Sequence, residues 1–261
     1  MLLTIDVGNT QTHFGMFRGE ELVDHFRFAT SRTTTSDELA IRIAALLRLR
    51  DLTFDEIDGA IVASVVPQQD QEWIWLNDRY FHGRLLFVAP GIKLGMPVRT
   101  DNPREVGADR LMNAVAAFDK VQGACVVVDF GTSINYDVVS AEGEYLGGAI
   151  APGVQISMDA LTQRASKLVK VEIEAPAAAI GRNTQAALRS GIVYGFAGQV
   201  DGIVERIRAE LGDDTAPVIA TGGLAELIAP HTKTIDQVDL FLTLEGIRLV
   251  WELNQRDQNR S

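Results

Sequence analysis

Residues 2–17 read LLTIDVGNTQTHFGMF, an apolar run that ends at Asp6, passes through Gly8, Asn9 and Thr10, and enters a second apolar run. That order predicts a strand, a tight polar turn and a returning strand. Gly8 lets backbone approach a ligand closely or take a positive φ. Asn9 and Thr10 add side-chain donors beside the backbone N–H groups of the tip. A tip of this kind suits phosphate. A carboxylate at the end of the first strand would repel phosphate directly, so Asp6 fits best as the holder of a hydrated divalent cation lying between it and the phosphates. Taken alone, the stretch is equally explained by an ordinary hairpin with a capped turn.

A second copy of the layout favours the phosphate reading. Residues 126–139, VVVDFGTSINYDVV, again give an apolar strand, an aspartate, a Gly/Thr/Ser turn and another strand. Asp6 aligns with Asp129, Gly8 with Gly131, Asn9 with Thr132 and Thr10 with Ser133. The offset is too long for a solenoid period and predicts two similar domains facing each other, residues 1–117 and 118–261. Two such tips would hold the phosphates of a nucleotide from both sides.

The 261 residues are enough for two domains of about 120 to 140 residues each. Hydrophobic residues make up 46% and charged residues 23% of the chain, the balance of a soluble globular enzyme, with disorder expected only in the last few residues. A net charge of −11 without a basic run argues against nucleic-acid or anionic-membrane partners. An anionic substrate would therefore need local positive charge, which makes each arginine near a motif important. The single cysteine, Cys125, allows no intrachain disulfide and no thiolate metal cluster, and reads as a small core residue in a reducing cytoplasm. No stretch approaches membrane-spanning length, and Asp6 interrupts the only apolar segment at the N-terminus.

Further along, Glu21–Phe28 reads as a third strand, and Thr35 with Glu38 forms a capping box ahead of an amphipathic helix carrying Leu39, Ile43, Leu46 and Leu47. The run GAIVASVV at 59–66, stopped by Pro67, fits a strand buried on both faces. Residues 68–81 predict a helix whose Trp73 and Trp75 pack inward. A strand at 85–88 and a long loop at 90–103 lead into EVGADR at 105–110 and a helix with Leu111, Val115 and Phe118 on one face, so Asp109 lies near the positive end of a helix dipole. Three strands over 125–150 precede a helix opened by Ala151, Pro152 and Gly153, and a less regular stretch follows at 169–180. Thr184 is expected to cap a long helix to about Leu211. That helix carries Gly191, Gly195, Gly198 and Gly202, each unfavourable by about 1 kcal/mol relative to Ala, which implies close packing by something outside it. A strand at 217–220 ends in Thr221, Gly222 and Gly223, a turn that suits a base or ribose. A helix over 240–253 with Leu244, Ile247 and Val250 closes the chain.

Two βββαβα halves with these turns resemble the acetate and sugar kinase, Hsp70 and actin superfamily, an α/β class of two RNase H-like domains facing each other across a nucleotide cleft. Within it, DVGNT at Asp6, DNPREVGADR ending at Arg110, VVVDFGT at Asp129, GGAIAPG at Gly147, GRNT at Gly181 and TGGLA at Thr221 resemble type III pantothenate kinase, in order and over nearly the whole chain. The resemblance implies ATP-dependent phosphorylation of pantothenate to 4'-phosphopantothenate, the first step of coenzyme A synthesis, by a cytoplasmic homodimer. It also implies Mg2+ or another divalent cation with ATP, and K+ or NH4+. Carried over by residue, Asp6, Val7, Gly8, Asn9 and Thr10 hold ATP, joined by Gln11, Thr12 and His13, by Thr132, and by Gly222 and Gly223. Asp129 matches the monovalent-cation position. Thr100, Gly107, Ala108, Asp109, Arg110 and Thr184 match the pantothenate site, with Asp109 as proton acceptor. Arg110 is a candidate partner for the pantothenate carboxylate.

Two departures stand out. The family commonly has Tyr seven residues before Gly107, where this chain has Thr100, which keeps a hydroxyl and loses the ring. After the second tip it often continues Ala-Thr-Thr-Phe-Asp, where this chain has Ser133, Ile134, Asn135, Tyr136 and Asp137. The competing readings are a kinase of another small hydroxyl compound, such as a sugar, and a nucleotide-binding regulatory protein without turnover. No run resembling a sugar-hydroxyl cage supports the first. The second leaves Asp109 without a purpose.

Overall fold

The computed structural model describes residues 1–165, 168 and 171–258. Val169 and Lys170 of the irregular stretch expected at 169–180 lie outside the described residues, as do the last residues, 259–261. From 171 to 180 the backbone forms neither helix nor strand. The chain divides into two compact units that are discontinuous in sequence. The first comprises Met1–Met96, Asn102–Ala116 and the residues from Thr243, and the second Pro97–Asp101 and Ala117–Leu242.

In the first unit, β1 (Leu2–Val7), β2 (Gln11–Arg18) and β3 (Glu21–Ala29) form an antiparallel meander, and β4 (Gly59–Ser64) and β5 (Leu85–Phe87) extend it in parallel on the other side of β1. The sheet order is β3-β2-β1-β4-β5. Helix α1 (Ser36–Arg48) begins at the expected capping box, with the Glu38 N–H donating to the Thr35 hydroxyl and the Thr35 N–H donating to the Glu38 carboxylate. Leu39, Ile43 and Leu47 bury against Leu3, Ile5 and Phe14 of the sheet. Helix α2 (Pro67–Leu76) starts on Pro67, which needs no N–H there, and continues as one wider π-type turn over Asn77–Phe81. Trp73 is fully buried in the core, as expected. Trp75 is 46% exposed, contrary to the packing reading, because α2 presents only one side to the sheet.

Helix α3 (Ala108–Val121) carries Asp109 in its first turn. The closing helix α7 (Leu242–Gln258), which lies beyond the 117/118 boundary, packs in the first unit from Thr243 on. A Cβ on Gly246 would sit 1.9 Å from the Met112 carbonyl oxygen, so α7 and α3 meet backbone to backbone. The Thr243 hydroxyl, 2.7 Å from the buried Asn113 amide oxygen, ties the same two helices together.

The second unit repeats the topology. Strands β6 (Cys125–Phe130), β7 (Ser133–Val139) and β8 (Tyr145–Pro152) are antiparallel, and β9 (Val218–Thr221) and the two-residue β10 (Gln237–Val238) run parallel beyond β6, in the order β10-β9-β6-β7-β8. Helices α4 (Val154–Arg164) and α5 (Thr184–Leu211) cover one face through Val154, Met158, Val193, Ala197 and Val200, while the short α6 (Ala225–Ile228) follows β9. Gly212 ends α5 in the left-handed conformation at φ +68°. The cap that starts α5 is Asn183, whose side chain accepts the Ala186 N–H at 2.8 Å, and not Thr184 as expected. Cys125 is fully buried, and burial pushes its thiol up to about 12, in keeping with a core residue.

Because the α1 cap satisfies donors at an exposed end, Thr35→Ala should lower unfolding free energy by about 1 kcal/mol in urea titrations with an unchanged m-value. A loss under about 0.3 kcal/mol would show that the box does not hold the helix end.

Candidate active site

The first tip forms as the sequence predicts. The Gly8 N–H donates to the Gln11 carbonyl at 3.0 Å, closing the turn between β1 and β2, and Asn9, Thr10 and Gln11 are exposed. Val7 and Thr12 are buried, and the Thr12 hydroxyl pairs with that of Thr30 at 2.9 Å, so their side chains serve the fold. Asp6 is half-buried at the carboxyl end of β1, flanked in register by His13 on β2 and Ala63 on β4. Burial, with Arg27 and His25 nearby, lowers the His13 imidazole to about 4, so it is uncharged at neutral pH.

Asp109 reaches the same end of this sheet by another route. The Val65 N–H donates to the Val7 carbonyl at 3.0 Å, extending the β1–β4 ladder past Asp6. A Cβ on Gly107 would lie 3.4 Å from Val65 Cγ1 and 2.6 Å from Asp109 Oδ1, so glycine leaves room there for the carboxylate. The Arg110 N–H donates to that oxygen at 2.8 Å. Burial raises the Asp109 pKa above the ordinary carboxylate value, opposed by the Arg110 N–H and charge. Gly107, Ala108, Asp109 and Arg110 thus form a helix N-terminus beside the carboxyl ends of two parallel strands, where open α/β sheets bind ligands.

In the second unit Asp129 is the next-to-last residue of β6, between Asn135 on β7 and Thr221 on β9. Gly222 takes φ +89°, and a Cβ there would sit 2.5 Å from Asp129 Oδ1, while one on Gly131 would be 3.5 Å away. The two glycine turns therefore enclose one carboxylate oxygen. Gly153, the residue before α4, lies against the Thr132 carbonyl, which a Cβ would meet at 2.1 Å. Gly223 is exposed, with open space where a Cβ would be. Thr100 follows a short parallel bridge from Val98 to Tyr145, its methyl 3.5 Å from where a Gly147 Cβ would stand and its hydroxyl buried with no hydrogen-bond partner among the described residues. Thr184 is exposed in the first turn of α5, with no side-chain hydrogen bond to the other candidates among the described residues.

No group of three or more His, Cys, Asp or Glu side chains is placed to hold a metal among the described residues. A hydrated divalent cation that takes one carboxylate and the phosphates of its substrate fits Asp6. The enclosed Asp129 oxygen beside two backbone turns fits a weakly bound monovalent ion. The sequence reading gave Val65, one residue past β4, no part in the site, and it missed Asn183, an ordinary capping residue one position before the chosen Thr184.

Residues 2–206 match the family described as type III pantothenate kinase. The type III pantothenate kinase of Geobacter sulfurreducens is 52% identical over 255 residues, covering 98% of this chain and 100% of that one, and that of Myxococcus xanthus is 50% identical over 254 residues, covering 97% and 99%. The chain belongs to the type III pantothenate kinase family. Among solved structures, it resembles the activator of 2-hydroxyisocaproyl-CoA dehydratase from Clostridium difficile with bound ADPNP, with a TM-score of 0.57, 12% identity and coverage of 100% of this chain and 97% of that one. The inorganic polyphosphate/ATP-glucomannokinase of Arthrobacter gives 0.50 and 13%, with coverage of 97% and 98%. At such identities the likeness is one of fold, the two-domain α/β fold of sugar kinases and actin.

The raised Asp109 pKa has a stability consequence. A carboxyl whose folded pKa exceeds its unfolded one costs stability at neutral pH, and that cost is relieved as pH falls through the folded value. Asp109→Asn keeps an acceptor for the Arg110 N–H and should melt above the unmodified protein at pH 7 to 8, with the difference shrinking on acidification. A lower melting temperature for Asp109→Asn at neutral pH would contradict this electrostatic account.

Proposed function

We propose that the protein transfers the γ-phosphoryl group of ATP to pantothenate, giving 4'-phosphopantothenate and ADP as the first step of coenzyme A synthesis. The observation that carries the chemistry is Asp109, a desolvated carboxylate at a helix N-terminus beside the strand that bears Asp6. Burial strengthens it as a base relative to an exposed aspartate. It accepts the proton of the substrate hydroxyl while that oxygen bonds to phosphorus and the bond to the ADP oxygen breaks.

The other residues position and neutralise, which is most of what phosphoryl transfer asks of a protein. Gly8, Asn9 and Thr10, with the adjoining Val7, Gln11, Thr12 and His13, bind the ATP phosphates, and Thr132 adds a contact from the second tip. Gly222 and Gly223 present backbone to the adenosine. Asp6 would hold hydrated Mg2+ or a similar divalent cation, and Asp129 would hold K+ or NH4+. When bound, these ions neutralise phosphate charge. Gly107, Ala108 and Thr184 shape the pantothenate site, and Arg110 meets the pantothenate carboxylate. Thr100 stands where the family's tyrosine is common, and its buried, unpartnered hydroxyl supplies a donor to substrate without the ring.

The described residues contain no helix long and apolar enough to cross a membrane. A cytoplasmic location is part of the proposal and follows from the family resemblance. A homodimer is supported by α5, where Cβ atoms on Gly191, Gly195 and Gly198 would meet nothing within 4 Å, so the glycine face is open to a second copy. Sedimentation should give twice 28.5 kDa, and Gly195→Arg should shift the protein toward the monomer. A monomeric unmodified protein at assay concentration would contradict the dimer.

Asp109→Asn tests the reaction directly. Pantothenate-dependent ADP formation should fall by about 10²-fold or more while ATP affinity stays within about twofold. Replacing potassium with sodium in the same assay should raise the KM for ATP. Undiminished turnover by Asp109→Asn would remove it as the base, and equal rates in both salts would remove the monovalent ion from Asp129.

A further inference from the structure

The register of the first sheet puts Ala63, Asp6, His13 and Arg27 in one row across β4, β1, β2 and β3, since Asp6 pairs with Ala63 and His13, and His13 with Arg27. Directly paired residues share a face. Their neighbours Ile5, Val7, Phe14 and Phe26 are buried in the core with α1 and α2, so the row occupies the opposite face. Farther from the tip that face is filled. The Thr4 hydroxyl and the Phe17 ring crowd Gly15, and the Arg248 guanidinium of α7 lies 5.7 Å from the Phe17 ring centre. The Asp6 row is the part of this face adjoining the Gly8–Thr10 turn.

Several arginines of this unit are engaged elsewhere in the fold. Arg50 is paired with Asp24 and Arg79 with Asp37, and Arg84 donates to three backbone carbonyls. Arg27 is exposed on the edge strand, and its side chain makes no hydrogen bond or ion pair among the described residues. Its charge reaches His13, the next residue of the row. Asp6 contributes a negative charge to this row, His13 contributes none at neutral pH, and the whole chain carries −11. Arg27 is thus the fixed positive charge of the row, two strand spacings or about 10 Å from Asp6.

We infer that Arg27 is a further phosphate-binding residue, reaching along the sheet face from β3 to the polyphosphate of ATP held at the Gly8–Thr10 turn. A guanidinium offers several planar donors and keeps its charge at any working pH, which suits phosphate oxygens. The inference rests on the reading of that turn as the ATP site, but not on pantothenate being the acceptor.

Calorimetric titration of ATP, ADP and adenosine, with magnesium, into the full-length protein and its Arg27→Gln and Arg27→Lys variants tests it. Arg27→Gln should bind ATP about tenfold or more weakly, as for loss of a charge-assisted hydrogen bond, weaken ADP in the same direction and leave adenosine unchanged. Its melting temperature should stay put, and Arg27→Lys should recover most of the lost affinity. Unchanged ATP affinity in Arg27→Gln would overturn the role of Arg27 alone. Equal weakening of adenosine would reassign Arg27 to the fold and overturn it as well. An unmodified protein that binds adenosine but gains nothing from phosphates would overturn the reading of the turn together with this inference.

Discussion

Each sheet is built around a central strand that carries an aspartate one residue before its end and is hydrogen-bonded along both edges. Asp6 sits between His13 and Ala63, and Asp129 between Asn135 and Thr221. With both edges of the strand used, the ladder fixes where the carboxylate stands, independently of side-chain contacts. Backbone groups without ladder partners then collect in the turn that follows, and these must find a ligand, water or another loop. The glycines around Asp129 follow from the same constraint. Gly222 takes a positive φ and approaches Asp129 to a distance that leaves no room for a Cβ.

The proposed reaction calls for groups that the fold itself does not require. Asp109 is held in a desolvated place by a helix N-terminus, and a glycine at 107 makes room for it. Such a carboxylate is unfavourable for stability and favourable for accepting a proton, the exchange common at sites built for chemistry. Arg27 is the opposite case, an exposed charge on the edge strand that makes no hydrogen bond or ion pair among the described residues. In a chain with this much negative charge, a cation near the turn adds local affinity for a polyanion.

The strands, both aspartate tips and the α1 cap were legible because each is a local signal. A hydrophobic period, an Asp-x-Gly turn and a Thr/Glu box are set by a few adjacent residues. Trp75 was not legible, since one side of α2 meets the sheet and the sequence does not say which tryptophan faces it. The cap of α5 was misplaced by one residue because Asn183 and Thr184 are both capping types. The packing of α7 in the first unit rests on the meeting of Gly246 with the Met112 backbone, 134 positions apart in the chain, which no local pattern encodes. The Asp6–His13–Arg27 row needed the strand register, because a slip of one residue would have put Arg27 in the core.

The most direct test of the account is phosphorus NMR of the purified protein with ATP, magnesium and potassium, offered pantothenate beside a panel of sugars and small hydroxy acids. The account predicts a phosphomonoester on the primary hydroxyl of pantothenate, formed in step with ADP, and no sugar phosphate. ATP bound and a sugar phosphorylated, with pantothenate left untouched, would contradict it.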